Sequence, residues 1–446
     1  MVLDMTKGDP IRGMLRFFFP VLLGNLLQQL YNVADSMIVS RFLGVDAFSG
    51  VSATGSLCFL IFGFALGICS GFAIPIAQEF GAGNHPSLRR YFANALYMAG
   101  IISVIVALVT GFASPQILRW MDTPENVFHY SLTYARVVFF GIPATVMYNL
   151  LAGVLRAVGD GRTPVYMLMC SVVLNILLDL LFILVFGMGV AGAAVATLLA
   201  QLVSCILCLA MIRSKFPILH IHKDEWAADG RRIRKLLGIG VPMGLQFSIT
   251  AVGSTILQAA VNSLGSQAVA AIGVAQKVHV IFAAPLEAVG ATVATYCGQN
   301  LGARSFDRVR VGVKRITMII FGYCIAAFVI QQFAGNWMIG WFVDSSETQI
   351  VEWASRFLTV IVGTSFFMSL VLIYRNAIQG LGYSSIAMLA GITELFGRVF
   401  VALILIDRIG FFGACFGDPV AWLCADAFLI PVYYRILSKL QKQAAQ

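Results

Sequence analysis

The chain has 446 residues, of which 59% are hydrophobic and only 11% charged, against about 25% charged in soluble domains. That composition excludes a soluble enzyme built on one core and describes a polytopic membrane protein. The formal net charge of +9 does not point to nucleic acid, because the Lys and Arg residues gather in short segments between apolar runs, as loops facing an anionic leaflet do.

In chain order, the opening MVLDMTKGDPIRGML carries acids and a Pro and no small-residue cleavage site, so a signal peptide is not expected. Twelve apolar segments follow, at roughly 16–41, 48–80, 91–113, 129–153, 163–187, 190–213, 237–263, 268–298, 314–341, 353–376, 384–406 and 412–436. Each is long enough for a hydrocarbon core of about 30 Å. The 48–80 and 268–298 segments exceed that need and should tilt or project. With the N-terminus inside, 23 of the 30 Lys and Arg residues fall on the cytoplasmic face. The opposite face gathers Asp122, Glu125, Asp344, Glu347 and Glu352. Both termini are therefore expected in the cytoplasm.

The segment 214–236, with "HIHKDEWAADGRRIRK", is the longest between spans and divides residues 1–213 from 237–446. His220 and His222 are expected to be solvated, not metal-bound. Arg231, Arg232, Arg234 and Lys235 suit a helix lying against phospholipid headgroups. The nine cysteines sit singly in apolar runs and read as packing thiols. No G-x-x-x-x-G-K-[ST] occurs, and "GDGRTP" at 159–164 reads as a turn.

The halves repeat. "FFFPVLLGNLLQQLYNVADS" aligns with "IGVPMGLQFSITAVGSTILQ", "AQEFGAG" with "GQNLGAR" and "LRAVGDG" with "IQGLGYS". Six spans per repeat insert the same way, so a two-fold axis along the membrane normal is expected, with a central cavity between two lobes. That is transporter architecture.

Five acids lie deep within spans, Asp35, Asp179, Glu287, Glu394 and Asp426, with the bases Lys277 and Arg398. In hydrocarbon an Asp costs roughly 3 kcal/mol, so it normally faces a cavity and has a function. Asn175 precedes Asp179 by one helical turn and shares its face. An amide oxygen and a carboxylate together suit a proton or a hard cation. Thr197 sits in the small-residue run "GVAGAAVATLLAQ", which permits close helix approach. Gln28, Tyr31, Asn32 and Asp35 form a polar stripe on the first span. Glu394 and Arg398 are spaced i, i+4 and are expected to pair. Structural pairing is also expected for Lys277 and Glu287, each with a partner elsewhere, and for Asp426, although no residue of either sign evidently opposes it.

The pieces "PVLLGNLLQQLYNVADSMIVSRFLG", "RAVGDGRTP", "NILLDLLFI" followed by "GVAGAAVATLLAQ", and "PLEAVGATVATYCGQNLGA" resemble the multidrug and toxic compound extrusion (MATE) transporters over nearly all of residues 10–437, closest to the DinF-like branch. The resemblance implies an all-α fold of twelve transmembrane helices in two pseudo-symmetric six-helix bundles. It implies an antiporter in the cell membrane that exports amphiphilic, cationic organic compounds in exchange for H⁺ or Na⁺. No enzyme activity and no cofactor beyond that ion is expected, and the chain should act as a monomer in the bilayer. The family's cation site maps onto Asp35, Asn175, Asp179 and Thr197, which would also hold Na⁺ if that is the ion. Its first-helix hinge proline maps onto Pro20, and its cavity polar residues map onto Gln28, Tyr31 and Asn149. Where the NorM-like branch has a Glu after the seventh-helix Pro, this chain has Thr250, and the repeat mate of Asp35 is Ile256 or Leu257. Coupling is therefore expected in the first lobe. A lipid or lipid-linked precursor flippase of the related superfamily is the alternative; five embedded acids against two bases favour cationic cargo.

Overall fold

The computed structural model describes residues 2–344 and 346–445. The first half runs α1 (Pro10–Ala53), α2 (Gly55–Gly81), α3 (His85–Trp120), α4 (Glu125–Phe140), α5 (Ile142–Ala157), α6 (Arg162–Leu180) and α7 (Gly189–Lys215), with a π-helical turn at Leu181–Val185 after α6. The second half runs α8 (Gly230–Asn262), α9 (Ser266–Gly302), α10 (Phe306–Ile339), α11 (Thr348–Gly363), α12 (Ser365–Gly380) and α13 (Ser384–Phe400). A π-helical turn at Val401–Leu405, the short α14 (Ile406–Ile409) and α15 (Phe411–Ala414), and α16 (Gly417–Ala445) complete it.

Among the described residues, nine helices are long and apolar enough to cross a membrane, or up to eleven if the bent pairs α4–α5 and α11–α12 each count as one span. Twelve were expected. The portion of α1 before its break at Gly44 is not among the eleven. Asn25, Gln28, Gln29, Asn32 and Asp35 dilute its apolar run, which is why hydropathy alone undercounts a helix that carries polar function.

The repeat recurs in the backbone. Gly159 and Gly382, in the turns after α5 and α12, have φ of 84° and 87°, and Gly187 and Gly410, after the two π turns, have 64° and 59°. Positive φ is cheap only for glycine, so these four residues fix the same two turns in each half.

The chain folds into two compact units, one of Met1–Asp4 with Phe19–Gly244, the other of Met5–Phe18 with Leu245–Gln446. The segment expected to be a separate linker, 214–236, groups with the first unit. It does so through Glu225, which accepts from Arg89 Nε at 2.7 Å, and Asn94, whose Oδ1 accepts from Asp229 N at 3.0 Å. Of the linker histidines, His222 is exposed as expected, although it also forms a capping box with Glu225, whereas half-buried His220 is tied down, its Nε2 bonding the Ile212 carbonyl at 3.2 Å. The basic run opens α8, where Arg232 and Lys235 lie over the Tyr91 ring. This corrects the expectation that all four basic residues face headgroups.

The first unit's core centres on Phe72, Leu88, Phe139 and Leu150, all fully buried. Here α2 and α8 cross at near-backbone contact. A Cβ on Gly67 would lie 2.7 Å from Gly244 Cα, and one on Gly71 would lie 2.5 Å from Gly240 Cα. Two facing Gly-x-x-x-Gly stripes thus replace side-chain packing by backbone approach.

In the second unit, Met5 N donates to Gln299 Oε1 at 2.9 Å, and Arg308 donates to the carbonyls of Met5 and Gly8 at 3.2 and 2.9 Å. Asp9 then caps α1 by accepting from Arg12 N at 2.9 Å, as Asp229 caps α8 through Arg231 N at 2.9 Å. All nine cysteines are free.

Candidate functional site

The four residues expected to make a cation site, Asp35, Asn175, Asp179 and Thr197, come together within the first unit. A Cβ on Gly24 of α1 would lie 3.4 Å from Val165 Cγ2 of α6, while Val39, Ile183 and Ala193 make a small buried cluster joining α1, the π turn and α7. Between these contacts the polar faces of three helices converge. Asp179 and Asn175, one turn apart on α6, are both fully buried. Asn175 Nδ2 donates to Thr197 Oγ1 on α7 at 3.4 Å. Asp35 on α1 faces Asp179 within side-chain hydrogen-bonding reach, and Tyr31, one turn earlier, faces Thr197. One carboxyl oxygen of Asp35, Oδ1, is buried without a hydrogen-bond partner among the described residues.

This arrangement has a definite chemistry. Two carboxyl groups side by side, shielded from water, cannot both keep a full charge unless something positive lies between them. A shared proton satisfies the pair. So does a small hard cation, for which the two carboxylates, the Asn175 amide oxygen and the Thr197 hydroxyl supply oxygen donors. Among the described residues no cluster of three or more His, Cys, Asp or Glu could hold a metal ion, so a bound cation would rest on this mixed set.

Other expected residues lie at more distance from the pair. Pro20 sits inside α1. Gln28 is exposed and donates to Asn32 Oδ1 at 3.4 Å along the same helix. Asn149 Nδ2 is bonded at 2.8 Å to the Thr145 carbonyl of its own helix, α5. Sequence reading missed Tyr134 of α4, a neighbour of Asp35, Asp179 and Tyr31. Aromatic residues are common in apolar spans, and nothing in the sequence marks this one.

In the second unit Glu394 and Arg398 do meet, at 3.5 Å, but within a larger array. Arg375 of α12 holds Glu394 at 2.8 Å, and Arg398 grips Asp418 of α16 through Nε and Nη2, both at 3.0 Å. Gly253 makes room for this guanidinium, since a Cβ there would lie 3.2 Å from Arg398 Cδ. The ion pairs expected for Lys277 and Glu287 with partners elsewhere, and for Asp426, are not found among the described residues. Lys277 lies over the Phe342 ring at 5.5 Å, and Glu287 is exposed on α9 with no ion pair among the described residues.

A family model described as MatE matches residues 20–181 and again 242–404, one match per repeat, each beginning at the equivalent proline. The chain belongs to the MatE family. MatE proteins are transporters, and this one is a multi-pass membrane protein. It is 31% identical over 448 residues to the probable multidrug resistance protein YoeA of Bacillus subtilis strain 168, covering 97% of this chain and 95% of that one. It is 26% identical over 381 residues, 82% of each chain, to a protein of Shewanella oneidensis named FAD transporter. A solved outward-facing multidrug resistance MATE family transporter of the MOP superfamily shares the fold, with a TM-score of 0.92, 22% identity and 98% coverage of both chains.

Proposed function

We propose that this MatE transporter is a secondary antiporter of the cell membrane, exporting amphiphilic organic cations in exchange for H⁺ or Na⁺, with both termini cytoplasmic and the monomer as the working unit. The observation that carries this reading is the Asp35–Asp179 contact, a pair of acids enclosed by three apolar helices. The multidrug name of the Bacillus relative supports the cargo class.

A proton or Na⁺ arriving from outside neutralises the pair and lets α1 repack. Pro20 is the point of give, because it lacks the N–H that would bond the carbonyl one turn back. The neutralised site no longer attracts a cationic cargo, which leaves outward. Linkage requires the converse, that cargo binding weakens ion binding by the same factor.

Transport of ethidium or norfloxacin into everted vesicles, the equivalent of efflux from the cell, with proton and sodium gradients imposed separately, tests this. Asp35→Asn and Asp179→Asn are each expected to abolish gradient-driven efflux while the protein remains in the membrane. Undiminished efflux in both would move coupling to another site. The Shewanella relative's name makes a flavin dinucleotide the proper anionic control; its transport in place of ethidium would overturn the cationic cargo class.

A further inference from the structure

We propose that Asp426 is a second proton-binding carboxyl, held in the second unit and independent of the Asp35–Asp179 pair. Asp426 lies on α16 and is 4% exposed. Neither of its oxygens has a hydrogen-bond partner among the described residues. A bare carboxylate enclosed in this way costs several kcal/mol, and the neutral acid removes most of that cost.

The surroundings decide against other occupants. From α12, Arg375 and Tyr374 face Asp426, and from α13, Glu394 does. On α16 itself, Tyr433 and Tyr434 pack against Tyr374 with ring centroids 5.2 and 6.2 Å away. Asp418 and Arg398 close the array beyond Glu394. Arg375, Glu394, Arg398 and Asp418 carry two positive and two negative charges and balance without Asp426. Ionised, Asp426 would add an uncompensated negative charge beside Glu394. A metal ion fits poorly, because both Glu394 oxygens are engaged by guanidinium groups and two fixed cations stand in the array.

Release of the proton has a receiving arrangement. As the Asp426 O–H gives its proton to water, the carboxylate left behind competes with Glu394 for Arg375. Glu394 keeps Arg398, so one guanidinium shared between two acids would lessen the added negative charge without cancelling it, which keeps the protonated form favoured. The linkage of this proton to cargo export rests on the antiport reading above; the binding of the proton does not.

Infrared difference spectra of the purified full-length protein in lipid nanodiscs, taken between neutral and alkaline pH, test the binding directly. The protonated-acid C=O stretch of Asp426 is expected at neutral pH in the unaltered protein, in Asp35→Asn and in Asp179→Asn. It should be lost in Asp426→Asn and present but displaced in Asp426→Glu. A spectrum unchanged by Asp426→Asn, or a band that Asp426→Glu fails to restore, overturns the proposal. If Asp35→Asn and Asp179→Asn keep full gradient-driven efflux while the Asp426 band behaves as expected, the antiport reading of the first unit fails and this one stands.

Discussion

Asp35 and Asp179 are 144 positions apart in the chain yet face each other, and each was legible because an acid in an apolar run is costly enough to need a reason. Asn175 was legible from helical periodicity. Arg375 and Asp418 were not: both lie near the ends of their expected spans, where a charge is cheap and needs no reason, and their partners sit 19 and 20 residues away on other helices. The ion pair between Arg89 and Glu225 is a similar case outside the spans. Its side chains are only 14% and 4% exposed. The Arg89 guanidinium holds the Glu225 carboxyl below the usual carboxylate range. A carboxyl so shifted contributes stability above its unfolded value of about 4.3 and loses that contribution as pH falls through the folded value. Glu225→Gln should therefore lower the detergent-solubilised melting temperature at neutral pH by the worth of a charge-assisted bond, roughly 1.5–3 kcal/mol. The difference between variant and parent should shrink as pH falls below the usual carboxylate range and Glu225 takes up its proton. A constant gap across that range would contradict the assignment.

At the scale of elements, the spans were legible because apolar runs of membrane length have few other uses. The π turns after α6 and α13 were not, since one extra residue in a helical turn leaves hydropathy unchanged. The crossing of α2 with α8 could have been read from Gly63, Gly67 and Gly71 against Gly240 and Gly244, spaced four apart on each helix. A side chain placed there must separate two backbones. Gly71→Val should destabilise the protein by about 1–3 kcal/mol, the range seen for overpacked sites, and reduce the monodisperse yield in size-exclusion chromatography. Gly238→Ala on α8, with open space around the added methyl, should be neutral or stabilising by up to about 1 kcal/mol. Equal behaviour of the two variants would mean that the close crossing does not bear on stability.

For the whole molecule, the charge count predicts orientation while the backbone repeat leaves it open, because two halves inserted alike look the same from either side. In a cysteine-free background, Lys7→Cys and Lys439→Cys should react with a membrane-impermeant maleimide in everted vesicles only. Glu347→Cys should react in intact cells only. The reverse labelling would invert the proposed direction of export.

The unit boundaries were the least legible feature of the molecule, since hydropathy sees spans and not which neighbours they choose. The chain passes from one unit to the other within α1, between Phe18 and Phe19, and again within α8, between Gly244 and Leu245. Each unit is thus completed by helical turns encoded in the opposite half of the sequence. A polypeptide cut midway in the linker would give two fragments, each missing a piece of its own bundle and each carrying a piece of the other's. Such fragments are expected to regain both bundles only when expressed together, each lending the other its leading turns.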